Sequence, residues 1–324
     1  MIHQDTIVPK KINTAFAKDV AKGLSASPKQ LSSKYFYDAK GDGLFQQIME
    51  MPEYYLTNCE FEIFETHKEA LRQAFGQQAF DLVELGAGDG TKTKILLQHF
   101  LAHETDFNYA PIDISAHVLK HLEADLQQSW PNLRVKKLAG EYFEGLRRLA
   151  HSKRRKVVLF LGGNIGNMLP KEAEKFLARM VNYLNSGDLL LIGFDLKKDP
   201  QTILDAYNDP AGVTSDFNLN LLERINRELG ADFKLEQFKH WETYNPLSGA
   251  TESFLVSKQA QNVYIAALQQ SFSFEPWEAI HTELSQKHSL SDIDRLAQKT
   301  GFIPVEKFFD QNRYFVDVLW EVRD

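Results

Sequence analysis

Phe80, Leu82, Val83 and Leu85 form an apolar run that leads straight into Gly86-Ala87-Gly88-Asp89-Gly90, and no other stretch constrains the fold as much. The pattern predicts a buried parallel strand that turns tightly into a helix starting near Thr91, with glycine freeing the backbone at the turn. Such a join opens an α/β sheet toward a nucleotide-like ligand. A second strand-like run, Tyr109-Ala110-Pro111-Ile112, ends in Asp113 about 20 residues on, the place where a carboxylate takes two ribose hydroxyls.

Charge decides which ligand suits the loop. A dinucleotide fingerprint sets a pyrophosphate on bare amides and needs a third small residue, where this chain has Thr91. Glu84 and Asp89 lie in or beside the loop and would repel a pyrophosphate. S-adenosylmethionine has no phosphate and carries a sulfonium and an ammonium, so the two carboxylates favour it over NAD. Glu84, Gly86, Gly88 and Asp113 are the cofactor candidates, with Lys92 expected to meet the donor's carboxylate.

The rhythm around this loop is that of an α/β protein. Helix signals at Phe61 to Phe75 precede the first strand. A helix from Thr91 to Leu101, the strand ending at Asp113, a helix from Ala116 to about Gln127 and a short strand near Val135 to Leu138 follow. Lys156 to Leu161 reads as a buried strand, the periodic stretch from Pro170 to Leu184 as a helix, and Leu189 to Phe194 as a fifth strand. Strands alternating with helices imply a doubly wound, largely parallel sheet. Outside it, residues 1–60 are helical and rich in tyrosine. Residues 198–286 hold a helix from about Phe217 to Leu229, closed by Gly230, and alternating runs at Glu252 to Val256 and Asn262 to Leu268 that read as antiparallel strands. The predicted organisation is a cofactor-binding domain of 61–197 and 287–324 and a discontinuous α+β substrate-binding domain of 1–60 and 198–286. Phe302 to Val305 and Tyr314 to Val322 are expected as a closing hairpin of the sheet.

Bulk properties narrow the class further. Acidic residues outnumber basic ones 44 to 37, giving a net charge of -7 with no local basic tract, which argues against a nucleic-acid partner. Cys59 is the single cysteine, so no intrachain disulfide forms and an oxidising compartment is not implied. Neither a signal-peptide core nor a membrane-length apolar run is present. A cytoplasmic monomer is the expectation. His99/His103 and His117/His121 have metal-ligand spacing, but neither pair has the following glutamate of a zinc helix, and no metal is expected.

Six separated motifs occur in one order: Tyr35-Phe36-Tyr37-Asp38, Met51-Pro52-Glu53-Tyr54-Tyr55, Glu84 to Gly90, Gly162-Gly163-Asn164-Ile165-Gly166-Asn167, Tyr207 to Thr214 and Thr282-Glu283-Leu284-Ser285. In these the chain resembles the histidine-specific Nα-methyltransferases that form trimethylhistidine (hercynine) in ergothioneine biosynthesis. The resemblance implies a Rossmann-like class I methyltransferase sheet, S-adenosylmethionine as donor and L-histidine as substrate. Carried over by residue, it places Gly86, Lys92 and Asp113 on the donor and Glu141 and Tyr142 beside its adenine. Tyr54, Asn167, Tyr207, Glu283 and Ser285 would hold histidine, with Tyr37 behind them, and Asn167 and Tyr207 would orient the reacting amine.

The residue chemistry suits those roles. Glu283 and Ser285 are two apart, so an extended strand points both the same way, toward an imidazole N–H. A Tyr54 hydroxyl can serve the other ring nitrogen, while the Asn167 amide and Tyr207 hydroxyl suit an α-carboxylate and amine. The plainer readings are that Tyr54 and Tyr55 are core aromatics, that Asn167 caps the helix near Pro170, and that Glu283 faces solvent. The chain departs from the family pattern at Leu56, Glu141-Tyr142, Asn164 and Ser253, and the last two bear on substrate identity. The alternatives are N-methylation of another amino acid or a tryptophan derivative, and a non-catalytic S-adenosylmethionine-binding protein.

Overall fold

The computed structural model describes residues 14–323 and divides into two compact units. One comprises Tyr55–Pro200, Pro246–Ala250 and Ser285–Asp324. Its seven-stranded sheet runs in the spatial order Phe302–Phe309, Phe315–Val322, Leu189–Asp195, Arg155–Phe160, Phe80–Leu85, Phe107–Asp113, Leu138–Ala139. The last five strands are mutually parallel, and Phe315–Val322 is antiparallel to both neighbours. This is the expected doubly wound, largely parallel sheet with its closing hairpin.

The sequence dictates most of it. Phe80–Leu85 and Leu189–Asp195 are buried at every position, as strands covered by helices on both faces must be. Val83, Ile112, Val158, Leu190, Val318 and Trp320 form one continuous core with Leu146, Leu177 and Ile293 from the covering helices. Strand order reverses between Phe80–Leu85 and Arg155–Phe160, and ligands of open α/β sheets bind at the carboxyl ends of strands around such a switch.

The other unit comprises Met1–Tyr54, Gln201–Asn245 and Thr251–Leu284. A four-stranded sheet in the order Lys29–Gln30, Ala279–Gln286, Ala250–Ser257, Phe238–Asn245 carries the long helix Val213–Leu229. Gly230, in the left-handed region at φ 65°, ends that helix, a conformation only glycine adopts cheaply. Phe16, Phe36, Phe217, Leu221, Leu255 and Ile280 fill its core.

Several boundaries differ from the sequence reading. The helix expected from Phe61 begins at Tyr55 and runs unbroken to Phe75, so the division falls at 54/55 rather than 60/61. The other breaks fall at 200/201, after Pro200, in place of 197/198, and at 284/285 in place of 286/287. Pro246–Ala250 joins the unit of the seven-stranded sheet, where the Gly249 carbonyl accepts the Lys287 amide at 2.7 Å. The expected strand at Val135 to Leu138 shrinks to Leu138–Ala139 plus one bridge from Val135 to Tyr109. Among the described residues no helix is long and apolar enough to cross a membrane.

Candidate functional site

Gly86, Gly88 and Gly90 all have positive φ (74°, 54° and 64°), so the turn after the first parallel strand needs glycine at each. The Gly86 amide donates to the Ile112 carbonyl at 2.8 Å, which ties the turn to the neighbouring strand. At that strand's end Asp113 accepts the Gly88 amide at 3.1 Å on Oδ2 and the Ser115 amide at 2.9 Å on Oδ1. Its carboxylate therefore stands at the mouth of the loop in a fixed pose. The Tyr142 hydroxyl lies 3.0 Å from where a Cβ on Gly86 would be, so any side chain there would fill the gap between them. Burial, with the nearby charges of Asp113 and Glu141, pushes the Tyr142 hydroxyl up to about 12, which keeps it neutral. Gly86, Gly88, Asp113 and Tyr142 thus make a cradle without a cation for phosphate, and it fits an adenosyl group joined to an amino acid.

Two expected donor ligands also have partners within the fold. Glu84 lies inside the sheet, accepting from Thr93 at 2.6 Å and from the Tyr109 hydroxyl, so it braces the loop from beneath. Desolvation, only partly countered by those two hydrogen bonds, pushes its carboxyl up to about 7. Lys92 is ion-paired with Glu60, a fully buried carboxylate that also accepts the Gly162 amide at 2.8 Å. Burial and the facing Glu60 hold the Asp317 carboxyl well above its ordinary value. The Lys92 ammonium answers that buried acid pair. Sequence reasoning missed Glu60 because an acidic residue within a helical pattern reads as surface.

The expected substrate residues lie on both units. In the smaller one Tyr54 and Tyr207 meet edge to face at 6.3 Å, and Phe45 links Tyr54 to Tyr37, at 6.3 Å and 5.5 Å. Their loops are held by short polar devices. Asp38 caps the helix Ala39–Glu50 through the Gly41 amide at 2.8 Å and accepts Asn220 at 2.9 Å. Asp209 accepts the amides of Val213 and Thr214 at 2.9 and 2.8 Å, and His240 donates to the Tyr207 carbonyl across 3.0 Å. Glu283 sits half-buried on the strand Ala279–Gln286, where Ser285 follows on the same side. A groove of about 650 Å³ in this unit is lined by Asp209, Asn220, His240 and Glu223, and by none of the expected histidine ligands.

In the methyltransferase unit Asn167 ends the short 3₁₀ turn Asn164–Asn167 and is exposed. Leu169, not Asn167, takes the N-cap position of the helix Pro170–Val181, so capping does not explain that asparagine. A Cβ on Gly166 would stand 2.9 Å from the Gln286 carbonyl, which packs this turn against the segment after Ser285. The Asn164 amide is used within its own turn, donating to the Leu161 carbonyl at 2.8 Å. Ser253 donates to Glu242 at 2.6 Å and is buried. Sequence reasoning also missed Asp195 and Lys287, a buried ion pair at 2.8 Å behind Ser285. Position was a usable signal for Asp195, which ends a parallel strand.

His99, His103 and Glu69 bring three possible metal-ligand atoms within 4.8 Å of one another. Both Glu69 oxygens are already engaged, by Arg72 at 2.7 and 2.8 Å and by His99 at 2.8 Å, and we assign no ion there.

Comparison with known proteins meets this geometry from the other side. The family described as "Histidine-specific methyltransferase, SAM-dependent" matches residues 16–322. A histidine N-alpha-methyltransferase of Mycolicibacterium smegmatis is 41% identical over 84% of this chain and 84% of its own length. Its counterpart from Mycobacterium tuberculosis is 37% identical over the same shares. Ergothioneine biosynthesis protein 1 of Neurospora crassa is 28% identical over 91% of this chain and 34% of its own length. A glycine turn at the carboxyl end of a parallel strand and a match running nearly end to end lead to one conclusion: the chain belongs to the histidine-specific, S-adenosylmethionine-dependent methyltransferases and is an enzyme of that kind.

Proposed function

We propose that this enzyme methylates the α-amino nitrogen of L-histidine, up to the trimethylated product. The observation that carries the choice of substrate is the strand Ala279–Gln286, which offers a carboxylate and a hydroxyl, Glu283 and Ser285, on one side. An apolar wall could shield an imidazole but could not pair its N–H. Gly86, Gly88, Asp113, Glu141 and Tyr142 would hold the donor, with Asp113 taking the ribose hydroxyls on the lone pairs that the Gly88 and Ser115 amides leave open. When bound, S-adenosylmethionine supplies an electrophilic methyl group, and the amine lone pair forms the N–C bond as the C–S bond breaks.

The chain's own task is alignment and a neutral amine. Asn167 and Tyr207 would orient the α-amine and α-carboxylate, and Tyr54 and Tyr37 would border the ring. Tyrosine faces can carry the ammonium that grows with each methylation. An α-amine loses a proton to solvent more readily beside a second positive centre, so the sequence needs no dedicated base.

Purified protein given S-adenosylmethionine and a mixture of amino acids tests the reading by mass spectrometry. Mono-, di- and trimethylhistidine should form in succession. Glu283→Ala should weaken histidine binding about tenfold to a hundredfold, the worth of a charge-assisted hydrogen bond. Methylation of tryptophan derivatives alone, or undiminished histidine selectivity without Glu283, would sink the assignment.

A further inference from the structure

Behind Ser285 lies a buried charge cluster that the reaction as described does not use. Asp195 ends the parallel strand Leu189–Asp195, and its carboxylate meets Lys287 at 2.8 Å, the Tyr55 hydroxyl at 2.9 Å, and Lys198. Lys287 is wholly buried, Asp195 is 3% exposed and Ser285 is 7% exposed. From its other side the Lys287 ammonium donates to Ser285 Oγ at 2.7 Å. The direction of that bond is not in question, because an ammonium has three donors and no acceptor. Ser285 Oγ is therefore the acceptor, and its own proton points away from Lys287.

The backbone around this contact is fixed as well. The Lys287 amide donates to the Gly249 carbonyl at 2.7 Å, and the Gln286 side chain donates to the Ser248 carbonyl at 2.6 Å and the Lys287 carbonyl at 2.9 Å. The His288 amide donates to the Asp195 carbonyl at 2.9 Å. A charge pair of this kind, held on both strands, orients whatever hydroxyl it touches.

We propose that Lys287, anchored by Asp195, is a positioning residue that sets the Ser285 hydroxyl as a hydrogen-bond donor to the substrate ring. The inference rests on the histidine reading above and changes one role within it. Glu283 accepts the imidazole N–H, while Ser285, its oxygen drawn on by an ammonium, donates to the ring nitrogen that carries no proton. The site then recognises a neutral five-membered ring with one donor and one acceptor, not merely a ring with an N–H. Lys287 touches neither donor nor substrate in this scheme.

The test uses two ligands, L-histidine and β-(pyrrol-2-yl)alanine, which keeps an N–H and lacks the bare nitrogen. Calorimetry on the full chain with S-adenosylhomocysteine bound gives both affinities. The wild type should prefer histidine by about tenfold to a hundredfold, since the analogue leaves a buried donor unpaired. Lys287→Met and Ser285→Ala should each bring that preference to within about threefold, and the double variant should lose little more than either alone. Lys287→Gln, which retains a donor, should restore part of it. Lys198 and Tyr55 still face Asp195 in these variants, and S-adenosylhomocysteine affinity within about twofold of wild type confirms a folded donor site. If Lys287→Met does not bind that ligand, Asp195→Asn with Lys287→Gln carries the same comparison. Preference kept in Lys287→Met but lost in Ser285→Ala, or losses that multiply in the double variant, overturns the positioning role alone. Wild-type protein that does not bind histidine, or indifference to both Glu283→Gln and Ser285→Ala, overturns the histidine reading together with it.

Discussion

Replacing Lys92 by methionine separates a structural lysine from a ligand-binding one. In the folded chain the ammonium is three-quarters buried and paired with Glu60, whose side chain is fully buried and faces Asp317. Methionine keeps the length of the side chain and removes the charge, leaving Glu60 with the Gly162 amide as its remaining donor of backbone origin. Breaking a buried pair by deleting one partner costs roughly 3–5 kcal/mol. Lys92 is partly solvated already, so the lower end of the range, about 3 kcal/mol, is the expected loss. For a unit of this size that lowers the melting temperature by about 6–12 °C at 2–4 °C per kcal/mol. The Glu60→Gln/Lys92→Met double variant should recover most of it. Urea melts read the stability, and calorimetry with S-adenosylhomocysteine reads the donor site. A Lys92→Met protein as stable as wild type but more than tenfold weaker for the donor would refute this reasoning and return Lys92 to the ligand.

Asp113→Ala should weaken S-adenosylmethionine and S-adenosylhomocysteine alike by about tenfold to a hundredfold, through lost charged hydrogen bonds and a freed Gly88 amide; unchanged calorimetric affinity in a folded variant removes Asp113 from the site. Glu84 titrates near pH 7 in the fold against about 4.3 unfolded, so the native state holds the extra proton between those values. Its contribution to stability therefore declines as pH rises from about 4.3 to 7 and is lost above, an effect of roughly 4 kcal/mol by linkage. Glu84→Gln should flatten that decline and gain relative stability above pH 7, and denaturant melts at pH 5 and pH 8 that change in parallel for both proteins would contradict it.

What was legible in the sequence follows from where each feature gets its energy. Phe80–Leu85, Leu189–Asp195 and the glycine turn could be read because their burial and conformational needs are local: every residue of the strand is apolar or held by a neighbour, and each glycine has positive φ. The helix Tyr55–Phe75 was read late by six residues because its first turn, Tyr55 to Glu60, carries a tyrosine, a threonine and an acid that look like a polar loop. In the fold the tyrosine reaches Asp195, 140 positions away, and the acid reaches Lys92. Long-range ion pairs leave no periodicity, so Glu60 and Lys287 are invisible until the fold brings their partners to them, whereas Asp195 could have been flagged by its place at a strand end. The same argument explains Lys92, which beside a glycine loop reads as a ligand for an anion: only the tertiary structure reveals that a buried carboxylate has already claimed it. Motif order supplied the candidate donor and substrate residues, and three-dimensional packing alone shows which charges pair with one another around them.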